Sequence, residues 1–235
     1  MSPVRVWEEP PKNDPYRKIG VFLWAYNKRM KNIVILGAAG RTGKLLVEAV
    51  LAKGYKVTAF VRKGEQLAAR DNLVVIEGDA RKADDLEFAF GGQDVVISTL
   101  GSNKLKDDLI TESTNALIKA AHASGVTRVI MMSSFLASGQ LKLNPLSWLL
   151  AKISAGFVGD KQSGEELLKS SDLEWTIMYA TRLGDSAPLG KTRIVPKSEK
   201  VGPGNMIDRA DVADVLAAEI DSSEHIRDSF LVTGS

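Results

Sequence analysis

The segment that decides the fold runs from residue 32 to residue 54 and reads NIVILGAAGRTGKLLVEAVLAKG. It opens with an apolar run up to Leu36, which is typical of a strand covered on both faces. From Thr42 to Lys53 apolar residues return at helical spacing, and Gly54 is a suitable residue to end that helix. Between the two elements lie three glycines at GxxGxxG spacing, namely Gly37, Gly40 and Gly43. The segment therefore predicts a strand, a glycine turn and a helix in direct succession.

The rest of the chain repeats this alternation of strands and helices. Further strands are predicted at residues 56–61, 73–77, 94–99, 127–132 and 174–179, with short ones at 193–195 and 229–232. Helices are predicted at residues 84–90, 107–124, 147–170 and 209–220, with an irregular stretch at 133–145. Right-handed crossovers arrange such a series around one sheet. We therefore expect an α/β fold for residues 31–235, with a doubly wound, mostly parallel Rossmann sheet and helices on both faces.

Residues 1–30 differ in composition from everything after them and are interpreted as an N-terminal extension. Residues 2–15 contain four prolines and no helical or strand period, which indicates an extended arm. Residues 16–30 are aromatic and basic and contain no acid. Several roles are consistent with this composition: a tail that packs on its own domain, an arm that docks on a protein partner, a targeting or membrane-surface segment, or an extension specific to this version of the chain.

Composition narrows the classes of function. The chain has 31 Lys and Arg against 29 Asp and Glu, so its net charge of +2 gives no reason to expect a nucleic acid partner. It has no cysteine and only two histidines, so we expect no metal site. No apolar run approaches the roughly 18 residues of a membrane span, so we expect no transmembrane segment. We predict a cytoplasmic protein, with an organelle matrix or the periphery of a membrane complex as alternatives.

The glycine turn has the composition of a phosphate-binding loop. A glycine at the first position permits the tight turn, one at the second lets the backbone approach the phosphates, and one at the third lets helix and strand pack closely. The start of the helix then offers backbone N–H groups to a pyrophosphate. The residues predicted to hold the pyrophosphate of a dinucleotide are Gly37, Gly40, Arg41, Thr42 and Gly43.

The end of the second strand indicates which dinucleotide is bound. A site that prefers NAD usually presents a carboxylate there, whereas this chain presents Arg62 and Lys63. A guanidinium suits a phosphate in bidentate geometry, so Arg62, with help from Lys63 or Arg41, predicts NADPH; the alternative is a solvated basic turn. Ligands of such sheets lie at the carboxyl ends of the strands. Asp79 is accordingly predicted beside the adenine, and Thr99, Leu100 and Gly101 along the middle of the cofactor.

These motifs resemble those of the atypical short-chain dehydrogenase/reductase superfamily, especially proteins similar to flavin/biliverdin-IXβ reductase and the NmrA-like regulators. The resemblance covers residues 31–234. It rests on the glycine loop and on the segments Val61-Arg62, Glu77-Gly78-Asp79, Gly125-Val126, Ser133-Ser134-Phe135, Lys161 with Glu165, residues 171–177 and residues 207–213. It implies a bound nicotinamide dinucleotide and, in many members, hydride transfer.

The resemblance also implies catalytic residues, and here the chain departs from the pattern. Enzymes of the wider superfamily reduce carbonyls with a Ser and a Tyr-x-x-x-Lys pair, in which the tyrosine donates the proton. Ser133 or Ser134 fits the serine and Lys161 the lysine, but the tyrosine position is occupied by Phe157. A second alignment, Trp148 to Lys152, has no hydroxyl either. In this interpretation Ser134 is a positioning donor and Lys161 holds the nicotinamide ribose; strand-end capping and a surface pair of Lys161 with Glu165 are the alternatives.

Two functions follow from this departure. The first is an NADPH-dependent reductase that transfers hydride to a planar acceptor such as a flavin, a quinone or a tetrapyrrole, whose proton comes from water or from the acceptor itself. The second is a non-catalytic NADPH-binding regulator or accessory subunit of a larger complex. Apolar residues suited to a planar ligand are Phe135, Trp148, Leu149 and Phe157, although such residues are commonly core. Tyr179 either offers a hydroxyl to the site or belongs to the core with its hydroxyl bonded.

Overall fold

The computed structural model describes residues 30–62, 67–101, 108–142, 155–186 and 190–234. Of Phe157 it describes only the backbone, which lies in a helix. The predicted N-terminal extension, apart from its last residue, lies outside the described residues, as do Lys63, Trp148 and Leu149. The proposed roles of these segments therefore remain predictions.

Ten strands are described: β1 Asn32–Leu36, β2 Lys56–Val61, β3 Leu73–Glu77, β4 Val95–Ser98, β5 Arg128–Ser134, β6 Glu174–Ala180, β7 Arg182–Gly184, β8 Thr192–Val195, β9 Met206–Asp208 and β10 Asp228–Gly234. Eight of them form one sheet in the order β3-β2-β1-β4-β5-β6-β10-β8. Its strands pair in parallel except for β8, which is antiparallel to β10. Strands β7 and β9 form a separate parallel pair.

Within the described ranges, five α-helices cover both faces of the sheet: α1 Arg41–Ala52, α2 Ala83–Phe90, α3 Leu109–Ser124, α4 Ala155–Lys169 and α5 Arg209–Ala218. Alternate residues of β1 point to opposite faces. Ile33 and Ile35 pack in a core with residues of α1 and α5, whereas Val34 and Leu36 pack in a second core with residues of α2, α3 and α4. The doubly wound α/β fold predicted from the sequence is therefore confirmed.

The structure differs from the sequence prediction mainly around β5 to β9. The stretch predicted to be irregular from residue 133 begins instead as the end of β5, because Ser133 and Ser134 pair with Tyr179 and Ala180 of β6. A short 3-10 helix, Phe135–Ala137, follows. Strands β7 and β9 were not predicted, since three-residue strands are too short to show a period. The longer β5 and the β7–β9 pair place additional backbone beside the carboxyl end of β6.

Candidate functional site

The carboxyl ends of the parallel strands open into a cleft of about 1540 Å³. The strand order runs outward from β1 to β2 and β3 on one side and from β4 to β5 and β6 on the other. Chain connections therefore reverse direction between β1 and β4, and such a reversal leaves a crevice where doubly wound proteins bind their ligands. All twelve residues predicted for the site line this cleft. The cleft thus brings them together, while their individual roles remain predictions.

The glycine loop closes tightly on itself at the start of α1. Gly37 has φ of +76°, a conformation that side chains other than glycine rarely adopt, and its carbonyl oxygen accepts a hydrogen bond of 2.9 Å from the Gly40 N–H. A Cβ on Gly43 would overlap the same carbonyl oxygen. Helix α1 therefore packs backbone against backbone on the loop, which only glycine at this position allows.

The N-terminus of α1 is available to an anion. Its N-cap residue, Gly40, offers no side-chain hydrogen bond, and the first turn of the helix contains no acid. Backbone N–H groups of a first helical turn lack intrahelical partners and carry the positive end of the helix dipole. Thr42 and Gly43 at this terminus both line the cleft. The residues present therefore fit the pyrophosphate of a dinucleotide.

One rim of the cleft is basic. Arg62 after β2 and Arg81 and Lys82 after β3 all line it, together with the carboxylate-bearing Glu77 and Asp79. Arg81 binds the Asp79 carboxylate through Nε and Nη2, each at 3.1 Å, and this pairing lowers the pKa of Asp79. Asp79 lines the cleft, and its carboxylate is engaged by a cation of the same rim.

The middle of the cleft is formed by the residues after β4. Thr99 donates from its hydroxyl to the Leu36 carbonyl at 3.0 Å, and its backbone N–H does the same at 3.0 Å. These two bonds fasten the β4 end to the β1 end, so that Leu100 and Gly101 follow directly beside the glycine loop. The loop and the β4 end approach closely, since a Cβ on Gly37 would lie 3.1 Å from Thr99 Oγ1.

The far end of the cleft contains Ser133, Ser134 and Lys161. Ser133 donates to Glu165 Oε1 at 2.5 Å, whereas Ser134 accepts a weak bond of 3.4 Å from the Leu136 N–H. The second Glu165 oxygen accepts from the Tyr179 hydroxyl at 2.6 Å. Burial, reinforced by this bond, raises the pKa of Tyr179. Tyr179 is thus a core residue with a bonded hydroxyl, the second of the two alternatives drawn from the sequence.

Lys161 is buried, with only 6% of its surface exposed. Burial lowers the pKa of this ammonium group, and the nearby carboxylates of Glu165 and Asp160 partly oppose that effect. The alternative that Lys161 is a surface residue is therefore wrong. The helix turn that carries it is fixed by Asp160, whose carboxylate accepts from the N–H groups of Ile110 and Thr111, each at 2.9 Å, at the start of α3.

Some residues at the cleft were missed by sequence reasoning. Asp185, just after β7, binds Arg41 of the glycine loop and Arg209 of α5, the latter at 2.5 Å. Arg41 and Arg209 both line the cleft. The carboxylate of Asp185 therefore joins the loop after β7 to the phosphate loop. Neither the bridge nor the β7 strand before it shows a sequence period, so no pattern pointed to them. Phe157, by contrast, lies one helical turn before Lys161, as its spacing requires.

Replacing Gly43 with alanine is expected to abolish dinucleotide binding. The added methyl group would overlap the Gly37 carbonyl, so α1 must shift away from the loop and its N–H groups leave the pyrophosphate position. A matched control is Gly204→Ala, because a Cβ there meets nothing within 4 Å and Gly204 does not line the cleft. Isothermal titration with NADPH, after a circular dichroism check of folding, measures the effect. Equal affinities of the two variants would contradict the role of the loop.

Binding of NADPH is expected to weaken as the pH rises toward the alkaline range. The pKa of Lys161 is lowered by burial, so its ammonium loses its proton at a lower pH than an exposed lysine, and the charge-assisted hydrogen bond predicted from it to the ribose weakens. Lys161→Met should bind more weakly at neutral pH and lose this part of the pH dependence. The exposed Lys119→Met serves as control. An unchanged pH profile in Lys161→Met would show that another group titrates.

No helix within the described ranges is long and apolar enough to cross a membrane. Likewise, the described residues contain no group of three or more His, Cys, Asp and Glu side chains that fits a metal ion.

Curated relatives of this chain match it over part of their lengths. Sterol demethylase protein B from Methylococcus capsulatus is 35% identical over 121 residues, which are 48% of this chain and 36% of that protein. The other curated relatives compared are also matched over less than two thirds of their own lengths.

Solved structures of other proteins share this fold. A short-chain dehydrogenase/reductase from Veillonella parvula in complex with NADP has a TM-score of 0.75 and 21% identity, covering 87% of this chain and 94% of that one. The anaerobilin reductase ChuY from Escherichia coli O157:H7 has a TM-score of 0.69 and 21% identity, covering 86% and 96%. The model of the NAD(P)H-binding family aligns with residues 37–223. Because this alignment covers most of the chain, the chain belongs to the NAD(P)H-binding family.

Proposed function

We propose that this protein is an NADPH-dependent reductase of a planar acceptor such as a flavin, a quinone or a tetrapyrrole. The observation that carries the proposal is that one cleft holds the glycine loop, a cationic rim and a buried lysine, while Phe157 replaces the proton-donating tyrosine of the superfamily. Similarity in fold to an anaerobilin reductase supports a planar acceptor. We place the protein in a reducing compartment, with the cytoplasm as the first expectation.

In this proposal, different residues along the cleft bind different parts of NADPH and of the acceptor. The N–H groups at the start of α1 hold the pyrophosphate, and Arg62 pairs with the 2′-phosphate of the adenine ribose. Lys161 donates to the nicotinamide ribose, and Ser134 donates a hydrogen bond to the acceptor. NADPH, when bound, supplies the hydride. The acceptor receives two electrons and one proton with that hydride, and any second proton comes from water or from the acceptor's own groups.

A second candidate is a nucleotide-binding regulator or accessory subunit that retains NADPH without turnover. One observation favours it: the hydroxyl of Tyr179, which pairs with Ser133 on the neighbouring strand, is already bonded to Glu165, and Tyr179 is buried. The described residues around Lys161 thus offer no tyrosine to replace the missing acid. In this reading the N-terminal extension is the segment that docks on a partner.

Steady-state oxidation of NADPH separates the two candidates. FMN, a quinone and biliverdin are offered in turn, and turnover is expected with at least one of them. Ser134→Ala should lower kcat/KM for that acceptor while leaving the Kd for NADPH within about twofold, because Ser134 is assigned to the acceptor and not to the nucleotide. Tight NADPH binding with no turnover of any acceptor would exclude the reductase and support the second candidate.

The preference for NADPH depends on Arg62 in this proposal. Arg62→Ala should raise the Kd for NADPH by about 10- to 100-fold, since a hydrogen bond to a charged group contributes about 1.5 to 3 kcal/mol, and should leave the Kd for NADH nearly unchanged. Arg70→Ala is the matched control, because Arg70 is an exposed arginine that pairs with Glu48 and does not line the cleft. An equal rise in the Kd for NADPH and in the Kd for NADH would instead assign Arg62 to a part of the nucleotide that both cofactors share.

A further inference from the structure

The hydrogen bonds around Glu165 have a fixed direction. Its side chain is buried, with 1% of the residue exposed, and its two oxygens face the hydroxyls of Ser133 and Tyr179 at 2.5 and 2.6 Å. A carboxylate only accepts, so both hydroxyls donate to it. Lys169 lies 3.7 Å from Oε2 and Lys161 interacts with the same carboxylate, so the buried negative charge is compensated.

Ser133 consequently faces the cleft without a hydrogen to donate. A serine hydroxyl carries one hydrogen and two lone pairs, and here the hydrogen is used by Glu165. Ser133 nevertheless lines the cleft, although only 3% of the residue is exposed. Among the described residues, the bond to Glu165 is the one hydrogen bond recorded for its side chain. A ligand group that meets this oxygen must therefore be a donor.

Lys161 presents the opposite polarity, because its ammonium can only donate. It interacts with the same Glu165 carboxylate that binds Ser133, so the two groups lie on one side of the sheet. Ser134 is the next residue of β5, and its side chain therefore points to the other face of the sheet. The far end of the cleft thus offers one hydrogen-bond acceptor, Ser133, near one donor, Lys161. This arrangement complements a ligand edge that carries an N–H next to a carbonyl.

We propose that Glu165 is a positioning residue that holds Ser133 as a hydrogen-bond acceptor, and that the ligand group seated there is an amide-type N–H. Two sources carry this chemistry: the carboxamide of the nicotinamide, and a lactam or imide N–H of the acceptor. The first source needs only dinucleotide binding. The second rests on the proposed reductase function.

Two pairs of probes distinguish the sources. In the first, the Kd of NADP⁺ is compared with that of its 3-acetylpyridine analogue, in which a methyl group replaces the carboxamide nitrogen and the carbonyl remains. In the second, kcat/KM is compared for FMN and for FMN methylated at N3. The natural partner should be preferred by about tenfold in one pair, because the altered probe leaves the buried Ser133 oxygen unpaired.

Variants of Ser133, Glu165 and Tyr179 test which residue sets the preference for the natural probe over the altered one. Ser133→Ala should reduce the tenfold ratio to near one, and Ser133→Thr, which keeps the hydroxyl, should restore it. Glu165→Met removes the acceptor, so the Ser133 hydrogen is released toward the cleft and the ratio should also fall. Tyr179→Phe is the matched control, because it removes a hydroxyl from the same carboxylate and leaves the bond of Ser133 to Glu165 in place; its ratio should match the wild type.

The results separate the possibilities. A preference in the first pair assigns the N–H to the nicotinamide, and one in the second pair assigns it to the acceptor. A ratio near one in both pairs for the wild type, or a ratio unchanged by Ser133→Ala, would overturn the proposal. If Ser133→Ala loses the preference for the natural probe but a folded Glu165→Met keeps it, the role of Glu165 is overturned. If Glu165→Met does not fold, the Ser133 variants still decide. If NADP⁺ binds about tenfold more tightly than its 3-acetylpyridine analogue but no acceptor turns over, the proposed reductase function is wrong and the role of Ser133 stands.

Discussion

The contact between the Gly43 backbone and the Gly37 carbonyl is the constraint on which the rest of the cleft depends. It brings the start of α1 against the end of β1, and the same carbonyl receives the Gly40 N–H. The Thr99 hydroxyl and N–H then fasten the end of β4 to that of β1. Because β1 lies between β2 and β4, this close approach holds the glycine loop beside the carboxyl ends of both neighbouring strands.

A second fixed point lies at the opposite end of the cleft, around the Glu165 carboxylate. It is reached by hydroxyls from β5 and β6 and lies on α4, so it joins three elements that are distant in sequence. Buried polar groups of this kind are costly unless each is bonded. Each oxygen here accepts from one hydroxyl, and the bond to Ser133 directs the hydrogen of that hydroxyl toward the carboxylate. The family resemblance alone would treat Ser133 and Ser134 as equivalent candidates.

Much of the fold was predictable, since each buried parallel strand is an apolar run and each helix shows its period. The glycine loop was predictable for a related reason, because its spacing and its place between strand and helix belong to one local segment. The ion pairs of Asp185 and the hydrogen bonds at Glu165 were not predictable, because they join residues far apart in sequence. The strand pair β7 and β9 was also missed, because each strand has only three residues. Sequence therefore predicted which residues line the cleft better than it predicted their partners.

The cap that Asp160 places on α3 links the stability of one helix to the position of a neighbouring side chain. The N–H groups of Ile110 and Thr111 are bonded to this carboxylate, which lies next to Lys161 in α4. Those amides stay protected from exchange with solvent deuterium only while α4 is docked. Local opening of α4 would expose them and withdraw Lys161 together, so the exchange rate at two backbone positions reports how often the far end of the cleft is assembled.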